Sequence, residues 1–192
     1  MTQATKSRNS LQKSKQMMLW IAMISISMTF AGLTSAYVVS SNRADWLSQL
    51  VLPTAFTIST VIILLSGVSF WYAKKLIKSQ QTVPSQIVLL VTFSLAVAFI
   101  YFQFQGFSEI IEQGYYFTGP ESSITSSYIY VLVLLHLIHL FAGIIVIGVV
   151  MIQNFRGAYS KDNTLGVDLA TNFWHFLDGL WLYLYIFVLL VG

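Results

Sequence analysis

Residues 131–150 read VLVLLHLIHLFAGIIVIGVV, twenty residues with no proline and no Asp, Glu, Lys or Arg. At about 1.5 Å of rise per residue, a helix of that length covers roughly 30 Å, the thickness of a bilayer's hydrocarbon core. The apolar residues do not alternate with polar ones at period two, so the run does not read as a barrel strand. Inside lipid a backbone must satisfy its own hydrogen bonds, which leaves the helix. The stretch is read as one transmembrane span, bounded by the charge-free interval from Glu121 to Arg156.

The same punctuation recurs along the chain. No Asp, Glu, Lys or Arg lies between Lys15 and Arg43, between Asp45 and Lys74, or between Lys78 and Glu109. A fifth apolar stretch runs from about Val167 to the C-terminus, with His175 and Asp178 inside it. The spacing predicts helices over about 17–40, 52–73, 85–107, 126–153 and 167–190. Pro53 and Pro84 fall at the starts of the second and third, where a missing N–H costs little. Pro120 falls in the polar loop EQGYYFTGPESS.

Composition agrees. Of 192 residues, 56% are hydrophobic and 9% charged, and the mean hydropathy is +0.73. Soluble domains carry about a quarter charged residues, so the expected fold is all-α and polytopic. It is a single bundle of five transmembrane helices over 1–192, with no room for a separate soluble domain. The absence of cysteine excludes disulfides, thiolate metal sites and cysteine nucleophiles. The first sixteen residues are polar and basic, so no cleaved signal peptide is expected.

Basic residues set the orientation. Lys6, Arg8, Lys13 and Lys15 precede the first helix, Lys74, Lys75 and Lys78 follow the second, and Arg156 and Lys161 follow the fourth. Only Arg43 falls on the other side, where Asp45, Glu109, Glu112 and Glu121 gather. By the positive-inside rule the N-terminus is cytoplasmic and the C-terminus outside. The net charge of +3 therefore reflects topology and anionic lipid headgroups, and nucleic-acid binding is not implied.

Helix one carries Ala22, Ser25, Thr29, Gly32 and Ala36 at spacings of 3, 4, 3 and 4. Small residues let backbones approach where lipid gives no hydrophobic drive, so this stripe is read as a packing seam rather than a binding groove. Helix four has a comparable line through His136, His139 and Gly143. Trp20, Trp46 and Trp71 read as interfacial anchors. Trp174 and Trp181, seven apart and deeper, each need an N–H partner or a protein contact.

All three histidines are intramembrane: His136 and His139, and His175 three residues before Asp178. Each pair projects from one helix face. At the outer end of helix three, FQFQGFSEIIEQ adds Gln103, Gln105, Glu109 and Glu112. Three readings compete. Three histidines and a carboxylate could ligate a metal or haem, but the spacing is loose and no fourth histidine completes two bis-histidine haems. Ionisable groups in a membrane can mark a proton or solute path, but no polar chain reaches the cytoplasmic face. The third reading is structural: the polar groups bond between helices or to lipid headgroups, and no metal is bound.

These residues also resemble a known family. The C-terminal WHFLDGLWLYLYIFVLLVG resembles the Trp-His-Phe-x-Asp-x-x-Trp signature of subunit III of haem–copper oxidases. HLIHLFAGIIVIGVV resembles the family's His-x-x-His-x-x-x-Gly helix, and FAGLTSAYVV its Phe-Ala-Gly-Leu-x-x-Ala-Tyr motif. The Gln-rich segment ending at Glu109 is similar to its Gln…Glu element. The elements keep family order across all five helices.

The resemblance implies the five-helix bacterial form, which lacks two N-terminal helices of longer versions. It implies a subunit without a redox centre, packed beside subunit I and with subunit II in the complex, enclosing phospholipid and sustaining proton uptake. Haem and copper are then expected in partner subunits, with none bound by this chain. The host would be an aerobic terminal oxidase of the bacterial cytoplasmic membrane, with a larger respiratory supercomplex as a further partner. The expected interhelical cluster is His136, His139, His175 and Asp178, with Glu109 and Trp174 nearby or at its edge. One departure stands out. Ile26, in SISMTF, falls where the family usually has a buried glutamate, so a proton-related role for that carboxylate is not transferred. The alternatives are subunit III of a quinol oxidase, the accessory subunit of a nitric-oxide reductase, a small haem-bearing cytochrome, and a transporter. A transporter is disfavoured by the lack of a broken helix or internal repeat.

Overall fold

The computed structural model of the protein describes residues 3–41, 53–117, 124–159 and 164–191, with side chains from residue 10 onward. Five α-helices follow in order: α1 Gln3–Ser40, α2 Thr54–Lys78, α3 Thr82–Glu112, α4 Ile124–Phe155 and α5 Leu165–Val191. Each is long and apolar enough to cross a membrane, and no strand occurs among the described residues.

The elements are those expected, but several ends move. α1 starts fourteen residues early, because the lysine-, glutamine- and serine-rich lead-in contains no proline or glycine to stop it. The start of helix two at Leu52 lies outside the described residues. α2 continues beyond 73 through Lys78 and stops at Ser79 and Gln80, the latter at φ 60. α3 begins at Thr82, with Pro84 still in its first turn, and runs past 107 to Glu112 before Gly114 turns the chain at φ 85. Apolar content sets the expected span, whereas backbone breakers set the helix end, so polar helix tails extend beyond the lipid-length core. Arg43, Asp45, Trp46, Pro120, Glu121 and Lys161 lie outside the described residues, as do the side chains of Lys6 and Arg8.

Helices α2 and α3 form an antiparallel pair, and α2–α3, α3–α4, α4–α5 and α5–α2 contacts close a ring of four. Its core is apolar, with Ile63, Phe70, Leu89, Phe99, Leu140 and Trp174 essentially inaccessible. α1 leans on α4 and α5 through its second half only. Phe30, Thr34 and Tyr37 are buried, while Met17, Met18, Trp20, Ile21 and Ile24 face outward. The outer surface is largely apolar along the spans, as in Leu90, Val97 and Phe104 on α3, which suits lipid as solvent.

The small-residue line on α1 does not form the seam within this chain. Ala22, Ser25, Thr29 and Gly32 are exposed and Ala36 is half-buried; a Cβ at Gly32 would meet nothing within 4 Å. The internal seam of α1 is built instead by larger residues, with Phe30 against Leu132, Leu180 and Leu184. Spacing alone shows that a face exists; it does not show whether that face meets the same chain.

Candidate functional site

Several polar groups of the bundle sit where helices touch. On α5, Trp174 and Trp181 share an inward face two turns apart. Trp174 lies over Gly143 of α4, where an added Cβ would come within 3.1 Å of its ring and 2.8 Å of Leu177. Trp181 donates its indole N–H to Thr60 Oγ1 of α2 at 2.9 Å. Thr60 in turn bonds the carbonyl of Phe56, one turn back on its own helix. One turn from there, Gln103 of α3 donates to Ser59 Oγ at 2.8 Å. These two bonds tie α5 and α3 to neighbouring residues of α2.

Asp178 and His175 form a second contact. Asp178 is buried with its carboxylate against the backbone of Gly67, and its Oδ2 lies 3.6 Å from His175 Nδ1. Only glycine leaves room for that carboxyl, since a Cβ at residue 67 would overlap Oδ2. The imidazole faces outward, with 41% of its side chain exposed.

The remaining expected members lie apart. His136 is fully buried among Phe30, Phe99 and Trp181, its ring 5.2 Å from the indole, and neither nitrogen has a hydrogen bond among the described residues. His139 turns to its own helix, with Nδ1 2.7 Å from the carbonyl of Leu135. Glu109 is half-buried in the last turn of α3 and makes no hydrogen bond or ion pair with the histidines or Asp178. The structure thus brings together His175 with Asp178, and His136 with Trp181, but not all six residues at one place. Among the described residues no three His, Asp or Glu side chains are grouped as a metal would require.

Sequence reading missed the links at the end carrying the basic residues. Asp168, in the first turn of α5, accepts from Lys74 at 2.9 Å and Lys78 at 2.8 Å. The i,i+4 spacing of those lysines at the end of α2, and an acid at the start of α5, is the signal that could have found them. Asn154 of α4 donates to Ser85 of α3 at 3.0 Å at the same end. Beside it, Tyr159 donates to Gln153, and burial pushes its phenol up to about 12. At the opposite half, Thr34 of α1 pairs with Tyr183 of α5 at 2.9 Å. The arrangement fastens helices at several levels.

Residues 4–192 match the family model for cytochrome c oxidase subunit III. Over 177 residues the chain is 27% identical to cytochrome bo(3) ubiquinol oxidase subunit 3 of Buchnera aphidicola, covering 91% of this chain and 85% of that protein. It is 26% identical to cytochrome c oxidase subunit 3 of Bacillus sp. (strain PS3), covering 98% and 92%. The bo(3) subunit 3 of Pseudomonas aeruginosa is 33% identical over 70% of this chain and 63% of its own length. Helix number, order of motifs and near-complete coverage coincide: this multi-pass membrane chain belongs to the cytochrome c oxidase subunit III family.

Proposed function

We propose that the chain is the non-catalytic third subunit of a bacterial respiratory haem–copper oxidase, a cytochrome c oxidase in the first instance. Subunit III proteins associate with other oxidase subunits, and here the partners are the catalytic subunit I and the copper-bearing subunit II. The observation that carries the reading is how intramembrane polarity is used. Trp181–Thr60, Gln103–Ser59 and Asp178 at Gly67 each join two helices, and the three histidines occupy separate environments. That is the pattern of a scaffold. Haem and copper reside in the partner subunits, and this chain binds none. The basic residues face the cytoplasm by the positive-inside rule, and Trp20 and Trp71, both exposed, anchor in the interface with phospholipid around them. By shielding subunit I and holding lipid, the chain sustains proton uptake without supplying a carboxylate at Ile26.

The test is isolation of the tagged chain from membranes, mass spectrometry of what accompanies it, and an absorption spectrum before and after the subunits are separated. Subunits I and II should copurify, and haem should stay with them. A Soret band that follows the separated chain would overturn the reading. A quinol oxidase host is the second reading, favoured by relatives whose names specify ubiquinol oxidase. Turnover of the purified complex with reduced cytochrome c, compared with ubiquinol, separates the two.

A further inference from the structure

Between α2 and α5 lies an open groove of about 400 Å³, lined by Leu64, Gly67, Val68 and Trp71 on one side and by His175, Asp178 and Gly179 on the other. Asp178 is thirteen residues from either end of the 27-residue α5, so the groove lies near mid-membrane. Two side chains on this side of α5, one lining the groove and one outside it, are out of place in contact with lipid. The imidazole of His175 is exposed, and Asn172, one turn nearer the basic end on the same outward face, is exposed as well. Serine and threonine on outward faces can return their hydroxyls to their own helix, as Ser27 and Thr29 do. Asn172 and His175 make no such bond among the described residues. At the floor, the carboxyl of Asp178, with 7% of its side chain exposed, leaves Oδ1 without a hydrogen bond among the described residues. Intramembrane polar groups of this size are costly unless another polar group meets them.

We propose that this groove is the docking surface for a transmembrane helix of another oxidase subunit, one that presents a hydrogen-bond donor to His175 at mid-membrane. The Nδ1 edge of the imidazole faces Asp178, so Nε2 is the nitrogen turned away from the chain. A neutral imidazole that carries its proton on Nδ1, toward the carboxylate 3.6 Å away, leaves Nε2 an acceptor, which asks the partner for a hydroxyl, an amide or a cationic side chain. The floor suits a helix backbone, because Gly179 faces outward with nothing within 4 Å of where a Cβ would stand. A phospholipid does not meet the need. Its headgroup stays at the interface, roughly 15 Å from the midplane, and its acyl chains carry no donor.

The inference rests on membership of an oxidase complex, and one experiment on the intact complex separates the two. A photo-reactive benzoylphenylalanine replaces the exposed Val68 in the groove or, as control, the exposed Leu90 on the outward face of α3. The whole oxidase is irradiated in its membrane and the products are identified by mass spectrometry. The docking surface requires a covalent adduct to another oxidase subunit from position 68 and none from position 90. His175→Leu should abolish or strongly reduce that adduct while the chain remains in the membrane. Adducts from position 68 to lipid or quinone only, or equal adducts from both positions, overturn the proposal while leaving subunit membership intact. Failure to recover any oxidase subunit with the wild-type chain overturns both.

Discussion

Gly67 is the residue through which the α2–α5 contact can be measured. A Cβ added there overlaps Asp178 Oδ2 and comes within 3.3 Å of His175 Nδ1 and 3.4 Å of Asp178 Cγ. Asp178 is short and only 5% exposed, and turning its carboxyl away from α2 takes it away from His175. Overpacking of this kind costs about 1–3 kcal/mol. Alanine gains about 1 kcal/mol over glycine in a helix interior. Gly67→Ala should therefore destabilise by about 0–2 kcal/mol, the difference of those two terms. In an Asp178→Ala background the struck carboxyl is gone, so the same substitution keeps only the helix gain and stabilises by up to about 1 kcal/mol. The prediction is thus a reversal of sign, a coupling of about 1–3 kcal/mol between residues in contact. Reversible unfolding of the purified chain in mixed micelles, titrated with dodecyl sulfate and followed by tryptophan fluorescence, gives all four corners of the cycle. Equal effects of Gly67→Ala in both backgrounds would refute the contact.

Three further outcomes follow from the same geometry. The Trp181–Thr60 bond predicts a coupling of about 0.6–1.7 kcal/mol in a Trp181→Phe, Thr60→Val cycle read by the same unfolding assay; additive effects would mean that the bond carries nothing. Asp168→Asn should cost about 1 kcal/mol or less, because the carboxylate is partly exposed where it meets Lys74 and Lys78. That loss should shrink as salt is added, and a salt-independent loss would point to packing instead. His136→Leu should be neutral, or stabilising by about 1–3 kcal/mol, since it removes a buried imidazole without a hydrogen bond among the described residues; marked destabilisation would reveal a partner for that ring.

Four charge-free intervals of bilayer length and a fifth apolar stretch around Asp178 were enough to read the helices, because nothing else satisfies a backbone in lipid. Their ends were less legible. Hydropathy stops at the edge of the apolar core, while α1 extends back through Lys15 and Lys13 and α2 runs on through Lys74–Lys78 until its backbone breaks at Ser79 and Gln80. The site was legible in pairs and not as a whole. The i,i+3 spacing correctly put His175 beside Asp178, since both lie on one helix. It could not tell that His136 would point into a cage of aromatic rings while His139 bonds its own turn. The small-residue line of α1 was visible as a face, but its neighbour depends on how far α1 leans on α4 and α5, which no local pattern encodes. Asp168 was overlooked because an acid near a helix start reads as a solvated end until the partner lysines of α2 are placed next to it.

On α5, position around the helix decides what each polar residue does. At about 100° per residue, Asp178 falls on the flank toward α2, Trp181 toward the centre, and Asn172 and His175 on the outward side. Exchanging two of them tests this directly. His175→Asp combined with Asp178→His leaves composition, mean hydropathy and i,i+3 spacing unchanged. It moves the carboxyl from the Gly67 contact to the open face, and the imidazole into a place that glycine keeps narrow. A carboxylate near the centre of an exposed helix face costs about 2.5–3.5 kcal/mol on insertion scales, which a bundle-facing one largely escapes. The exchanged chain should reach the membrane with five spans but leave the oxidase during purification, as measured by its ratio to the catalytic subunit. An exchanged chain retained as well as the wild type would mean that the polar pair serves by its presence alone, whichever way its members face.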